Sequence, residues 1–324
     1  MPVGRKHCMA NKIMTETKAA RKADDVDGFL DKYLWEPVAM VFSRIFIRLG
    51  IVPNVITVLS LVIGVTGGIF LGSASRKLNL LGMVLLFFSG IFDTCDGQVA
   101  RLTNNRSPLG RFLDGSCDTL VDVAAFIAMA CRLSKEYIPF TNTPWGWVIF
   151  PIVIYCGIFC VGRQCSMADH YRNLHLYFLR NSYGSELDRS KNVAAKLKKR
   201  KEEGAPFWEL LYLWAYGTFT RAQEAQSPKM EKLLDAMEQC GKELPEGLRE
   251  DFLNESAKYI KLAPALTYNI RTVALFVCIA LGKYFWFFLF QMTVVEAICF
   301  YMINRYEKIA DGLYQKYFSE KKEK

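Results

Sequence analysis

The stretch LLGMVLLFFSGIFDTCDGQVARLTNNRSPLGRFLDGSCDTLVD, Leu80–Asp122, decides how this chain is read. It opens as an apolar helix fit for a bilayer and then places Asp93 and Asp96 directly after the apolar run. A second helix starts near Gly110 and carries Asp114, Asp118 and Asp122. A charged group near the centre of a membrane helix costs at least about 2.5–3.5 kcal/mol. One acid at a helix end is an accident; five on consecutive helices need a partner. Asp93 and Asp96 are three apart, and Asp114 and Asp118 are four apart, so each pair shares a helix face. The connection from Arg101 to Gly110 is short, which reads the two helices as antiparallel neighbours with both acidic pairs near one end. Carboxylates gathered in that way repel unless cations neutralise them. Oxygen-only ligands suit Mg²⁺, Mn²⁺ or Ca²⁺. Two such ions about 3.5–4 Å apart form a clamp for phosphoryl displacement. The blander reading pairs the acids with Arg101, Arg106 and Arg111 as interfacial salt bridges.

The rest of the chain fits a membrane protein. Of 324 residues, 52% are hydrophobic and 23% charged, which excludes disordered, collagen-like and coiled-coil chains. Mean hydropathy is only +0.11, but the apolar residues are unevenly spread. No charged residue occurs from Leu49 to Ser75, or from Tyr137 to Gly162. Each run exceeds the ~20 residues that span a bilayer. The expected fold is all-α, a polytopic membrane bundle of about six transmembrane helices. They are placed at 51–72, 79–101, 110–133, 145–165, 264–282 and 284–304.

The expected organisation is a polar tail (1–25), an interfacial amphipathic helix (26–50), four spans with the acidic motif (51–165), a cytoplasmic helical insertion (166–263), two spans (264–304) and a basic tail (305–324). Pro37 should start a new helix in the 26–50 segment, with Trp35 and the arginines facing headgroups. Within the insertion, Lys196–Glu203 is a solvated charge run, and the helices after it break at Gly241 and Pro245. Phe207–Phe219 is apolar but too short to span and reads as a surface helix dipping into the membrane. The net charge of +9 reads as basic loops facing cytoplasm and anionic lipid, not as nucleic-acid binding. Both termini and the acidic motif then lie on the cytoplasmic side. The ten cysteines form no C-x-x-C pair, which argues against a disulfide framework or structural zinc.

The full spacing is Asp93-x-x-Asp96-Gly97-x-x-Ala100-Arg101, eight residues, Gly110, three residues, Asp114, three residues, Asp118. It resembles the signature of the CDP-alcohol phosphotransferase (CDP-alcohol phosphatidyltransferase) family at every fixed position. The resemblance covers about Ile51–Gln164 well and the last two spans weakly. It implies a membrane enzyme of phospholipid synthesis that moves a substituted phosphate from a CDP-alcohol to an acceptor hydroxyl and releases CMP. It further implies a two-metal site for Mg²⁺ or Mn²⁺ on Asp93, Asp96, Asp114 and Asp118, with Asp118 as general base, and a homodimer. Gly97, Ala100, Arg101, Ser107 and Gly110 would stand beside the donor, with Asn54 and Thr57 from the Pro53–Thr57 opening of the first span.

The acceptor is where alternatives stay open. Arg163, Arg271 and Arg305, near the cytoplasmic ends of three spans, read either as headgroup anchors or as a pocket for a phosphorylated polyol such as inositol phosphate. That pocket goes with CDP-diacylglycerol as donor, the leading reading. The stretch from Thr103 to Asp118 looks more like the type that moves CDP-choline or CDP-ethanolamine to a lipid hydroxyl. Outside catalysis, the rival class is a cation transporter built on intramembrane carboxylates. Glu296 is expected to pair with a neighbouring helix, Asp122 to sit behind Asp118, and His170 and His175 to face solvent.

Overall fold

The computed structural model describes residues 28–105, 108–179, 187–240 and 244–319, and side chains at all of these except 108, 109, 111, 112, 114 and 269. The expected tail 1–25 and Ser107 lie outside the described residues, as does the side chain of Asp114. Among the described residues regular structure is helical, with one isolated bridge between Tyr137 and Pro144. Eleven helices follow in order: α1 Glu36–Arg48, α2 Pro53–Leu71, α3 Arg76–Leu102, α4 Pro108–Leu133, α5 Gly146–Leu179, α6 Ser190–Glu202, α7 Phe207–Ala225, α8 Pro228–Cys240, α9 Leu248–Ile260, α10 Tyr268–Ala280 and α11 Tyr284–Ser319. Four of them, α2, α3, α5 and α11, are long and apolar enough to cross a membrane, and the chain is an integral membrane protein.

The six expected spans each correspond to a helix, with differences that have physical causes. The third, α4, has 26 residues but carries three aspartates. The fifth, α10, has only 13, because Pro264 lies in a 3₁₀ turn over Ala263–Leu266 and Thr267 is extended. At 1.5 Å per residue that helix is about 20 Å long, short of a ~30 Å hydrocarbon core. The fourth and sixth run on well past Cys165 and Asn304, to 34 and 36 residues.

Two compact units divide the chain. The first comprises the described residues through Val161 and Tyr268–Met292. Its central helix is α2, which carries glycines on the faces that meet α3 and α4. A Cβ on Gly67 would come 2.9 Å from the Gly82 carbonyl oxygen of α3, and one on Gly68 would come 2.9 Å from the Ala125 nitrogen of α4. Small residues let membrane helices approach to backbone contact, where dispersion rather than the hydrophobic effect holds them. Consequently α3 and α4 each pack on α2 more than on one another. The expectation that they are direct neighbours is corrected: a short connection brings two helix ends together, but the glycine-lined helix takes the space between.

Pro37 stands in the first turn of α1, as expected of a helix start, but no break precedes it. The chain is helical through it, with a π turn over Asp31–Trp35 ahead of α1. That widened turn accommodates the proline ring and its missing N–H. Nor does Trp35 face headgroups. It is buried, edge-on to Phe87 of α3 at 5.5 Å, in a cluster with Ala39, Phe46, Ile91 and Cys95.

The second unit holds Gly162–Thr267 and the chain from Thr293. Tyr171 of α5 stacks on Tyr306 of α11 at 4.0 Å, and Phe178 stacks on Phe252 of α9 at 3.9 Å. Glu307 of α11 accepts the backbone N–H groups of Lys229 and Met230 at 2.9 and 3.1 Å, satisfying orphan donors in the first turn of α8. His170 and His175 are buried in this core, not solvent-facing as expected. They occupy the part of α5 that packs against α9 and α11, a partner surface that local sequence does not reveal.

Candidate active site

The site is built on α3 where α1 and α2 grip it. Cys95 Sγ donates to the Ala39 carbonyl at 3.2 Å, Ser43 Oγ donates to Gln98 Oε1 at 2.9 Å, and Gln98 Nε2 donates to the Glu36 carbonyl at 3.1 Å. These bonds fix the α1 side of α3 at positions 95 and 98. Asp93, Asp96, Gly97, Ala100 and Arg101 then occupy other faces of the same turns. Asp96 is buried, and its carboxylate accepts a hydrogen bond from the Thr57 hydroxyl of α2. Thr57 also reaches the Pro53 carbonyl at 3.2 Å. The sequence reading placed Thr57 beside the donor; in the structure its hydroxyl orients an acid of the motif. Asn54 is exposed one turn earlier, in the first turn of α2.

Gly97 has a visible role. A Cβ there would meet the Arg101 guanidinium at 3.2 Å, so the arginine folds back over the glycine, beside Asp93 and Asp96 in sequence and on their helix. Asp93, Ala100, Arg101 and Gly110 are half-buried, and Asp118 is exposed. Asp122, one turn beyond Asp118 on α4, accepts from Arg271 of α10 at 2.7 Å. Arg271 is itself buried and stands 5.7 Å from the ring of Tyr268.

Arg163 and Arg305 belong to the second unit. Arg163 forms an ion pair with Glu296, stacks at 4.2 Å on Phe300, and has a neighbour, Gln164, that donates to the same glutamate at 2.7 Å. Glu296 thus pairs as expected. Arg305 lies 5.0 Å over Tyr301 and 5.9 Å from Tyr259.

Among the described side chains, which do not include Asp114, no three acids, histidines or cysteines are close enough to hold one metal ion. The donor chemistry of the motif is still that of a hard cation, since every candidate ligand is a carboxylate.

Residues 50–173 match the family model described as CDP-alcohol phosphatidyltransferase. This segment is similar to CDP-alcohol phosphatidyltransferase domains. Its relatives include choline/ethanolaminephosphotransferase 1 of Arabidopsis thaliana, 35% identical over 136 residues, which are 40% of this chain and 34% of that protein. Phosphatidylinositol phosphate synthase of Mycobacterium tuberculosis is 28% identical over 101 residues, 31% of this chain and 46% of that one. The bifunctional IPC transferase and DIPP synthase of Aquifex aeolicus is 30% identical over 111 residues, 34% of this chain and 25% of that one. The chain therefore spans a quarter to a half of the length of these curated relatives. The matched segment contains α2, α3, α4 and most of α5. Arg271 and Tyr268 come from outside it, and the spacing of the motif carries no signal for either.

Proposed function

We propose that the chain transfers a substituted phosphate from a CDP-alcohol to an acceptor hydroxyl and releases CMP. The observation that carries this reading is the eight-position acidic motif along α3 and α4, with Asp96 buried and bonded to Thr57 of α2, inside a segment that matches the family model. Bound Mg²⁺ or Mn²⁺ on Asp93, Asp96, Asp114 and Asp118 would neutralise the donor pyrophosphate and the charge that develops on the transferred phosphorus. Thr57 holds the Asp96 carboxylate in one orientation. Arg101, laid over Gly97, supplies a planar cation for phosphate oxygens. Asp118 takes the proton of the attacking hydroxyl as the new P–O bond forms and the bond to CMP breaks. Ser107 and Gly110 would line the donor side. The motif and both termini face the cytoplasm, α1 lies at the interface, and the enzyme is a homodimer.

Two donor–acceptor pairs fit this reaction. CDP-diacylglycerol with a phosphorylated polyol needs free cations for the acceptor phosphate. Of the three arginines of that pocket, Arg271 is engaged by Asp122 and Arg163 by Glu296, while Arg305 lies over Tyr301. The second pair, CDP-choline or CDP-ethanolamine with a lipid hydroxyl, needs no such pocket. It also has the longer and more similar relative. We infer that the second pair is the better supported. Purified protein in lipid, given a panel of CDP-linked donors and acceptors, should release CMP with metal and make the aminoalcohol lipid. Production of a phosphatidyl polyol phosphate would reverse the choice of pair. No CMP with any donor would return the chain to the transporter class.

A further inference from the structure

The hairpin of α6 and α7 leaves one face of α7 bare. Phe207, Leu211 and Trp214 stand at i, i+4 and i+7, one stripe of the helix, and are 79%, 45% and 60% exposed. Trp208 flanks them at 54%. The residues opposite, Leu213, Thr220 and Gln223, are buried. Their side of the helix is fastened at three levels. Arg200 of α6 grips Glu209 with two nitrogens, at 2.7 and 2.9 Å, and so holds the Glu209 carboxyl below the usual carboxylate range. Val193 lies against Gly217, and the Ser190 N–H donates to Glu224 at 2.7 Å. The stripe is thus fixed outward by bonds on the far side and cannot roll inward.

Its depth is set as well. Gln223 Nε2 donates to the Ser166 carbonyl of α5 at 2.8 Å. Ser166 lies one helical turn beyond Gly162, where the uncharged run ends. The C-terminal end of α7 is therefore tied to α5 at the level where a membrane span meets water. The apolar part, Phe207–Phe219, is about 20 Å long at 1.5 Å per residue, too short to cross. Tryptophan and phenylalanine beside basic residues mark a helix that lies in the interface plane. Behind α7, Lys196, Lys198, Lys199 and Lys201 of α6 are exposed. Anionic headgroups attract such a group over roughly a Debye length, about 10 Å.

From this geometry we propose that α7 is an interfacial membrane helix, with Phe207, Leu211 and Trp214 seated among the lipid headgroups and upper acyl chains. The occupant of the stripe is the bilayer in which the chain's own spans sit. The proposal is independent of the substrate assignment.

Full-length protein carrying p-benzoylphenylalanine at 207, 211 or 214, or at 198 on α6, would be reconstituted into phosphatidylcholine–phosphatidylglycerol liposomes and irradiated. Lipid adducts at 207, 211 and 214 should exceed those at 198 by roughly tenfold. Adducts to a second copy of the chain, or lipid adducts no higher than at 198, overturn the proposal. A second readout does not depend on the photoreactive variants. The part of the tryptophan fluorescence lost in the Trp208→Phe/Trp214→Phe protein, taken as the difference from wild type, should be quenched by brominated phosphatidylcholine; no quenching of that difference overturns the proposal too.

Discussion

Arg271 donates to Asp122 at 2.7 Å, joining α10 to α4 one turn beyond Asp118. The pair ties the turn that follows the expected base to a helix from the far end of the sequence. Arg271 is buried, and both groups lie beside Leu86, Val121, Phe126 and Leu275. Removing one partner of such a pair leaves the other charged and poorly solvated, which costs about 3–5 kcal/mol, whereas neutralising both costs much less. Arg271→Ala should therefore lower thermal stability in detergent strongly, and Arg271→Ala/Asp122→Asn should recover most of the loss. Equal losses in the single and double variants would show that the two are not coupled.

Thr57→Val should separate orientation from donor contact. The change keeps the shape of the side chain but leaves the buried Asp96 carboxylate without its hydroxyl donor. Loss of an outer hydrogen bond to a metal-binding acid typically weakens metal affinity 10–100-fold. A Mg²⁺ titration of activity should shift to higher concentration by that factor, and Thr57→Ser should restore it. An unchanged metal requirement with a raised donor KM would instead place Thr57 against the nucleotide.

The helical class, the approximate spans and the motif were legible because apolar runs and acid spacing are local properties of the chain. The order of packing was not. That α2 lies between α3 and α4 depends on Gly64, Gly67, Gly68 and Gly72 meeting small residues on two other helices, and a glycine stripe does not announce its partners. Trp35 read as an interface anchor and proved to be core, because its partner Phe87 is 52 positions away. The histidines of α5 were misplaced for the same reason. Asp122 was legible only as a follower of Asp118. Its cation lies 149 residues on, outside the family segment. Periodicity names a face, and only tertiary contact says what covers it.

The glycine contacts give a test of the fold itself. A Cβ on Gly68 would sit 2.9 Å from the backbone nitrogen of Ala125, and backbone cannot swing aside as a side chain can. Gly68→Val should destabilise the protein by about 1–3 kcal/mol through overpacking. Gly115, on the opposite side of the same argument, has nothing among the described residues within 4 Å of its Cβ position, so Gly115→Ala should leave the melting temperature within a degree or two. Equal effects of the two changes would contradict the α2–α4 contact.

Metal dependence follows from the charge of the motif. Four aspartates on α3 and α4 bind no substrate phosphate unaided, because like charges repel. Transfer should cease in excess chelator and return with Mg²⁺ or Mn²⁺. Full activity in chelator, with no metal retained on the protein, would reject the two-metal reading.

Asp118 gives the sharpest test of the proposed chemistry. It lies on α4, exposed, four residues before the Asp122 carboxylate that Arg271 holds. An exposed carboxylate beside a neutralised neighbour is well placed to accept a proton from an incoming hydroxyl. Asp118→Asn keeps the size of the group and removes that capacity. General-base loss typically costs about 10²–10⁴ in rate. The kcat of the variant should fall by that factor, while the donor KM stays within a few-fold and the protein keeps its melting temperature. Asp93→Asn should behave differently, with a higher metal requirement and partial recovery at saturating metal. If Asp118→Asn also recovers at saturating metal, Asp118 acts as a ligand and the base must be sought among the other acids of the motif.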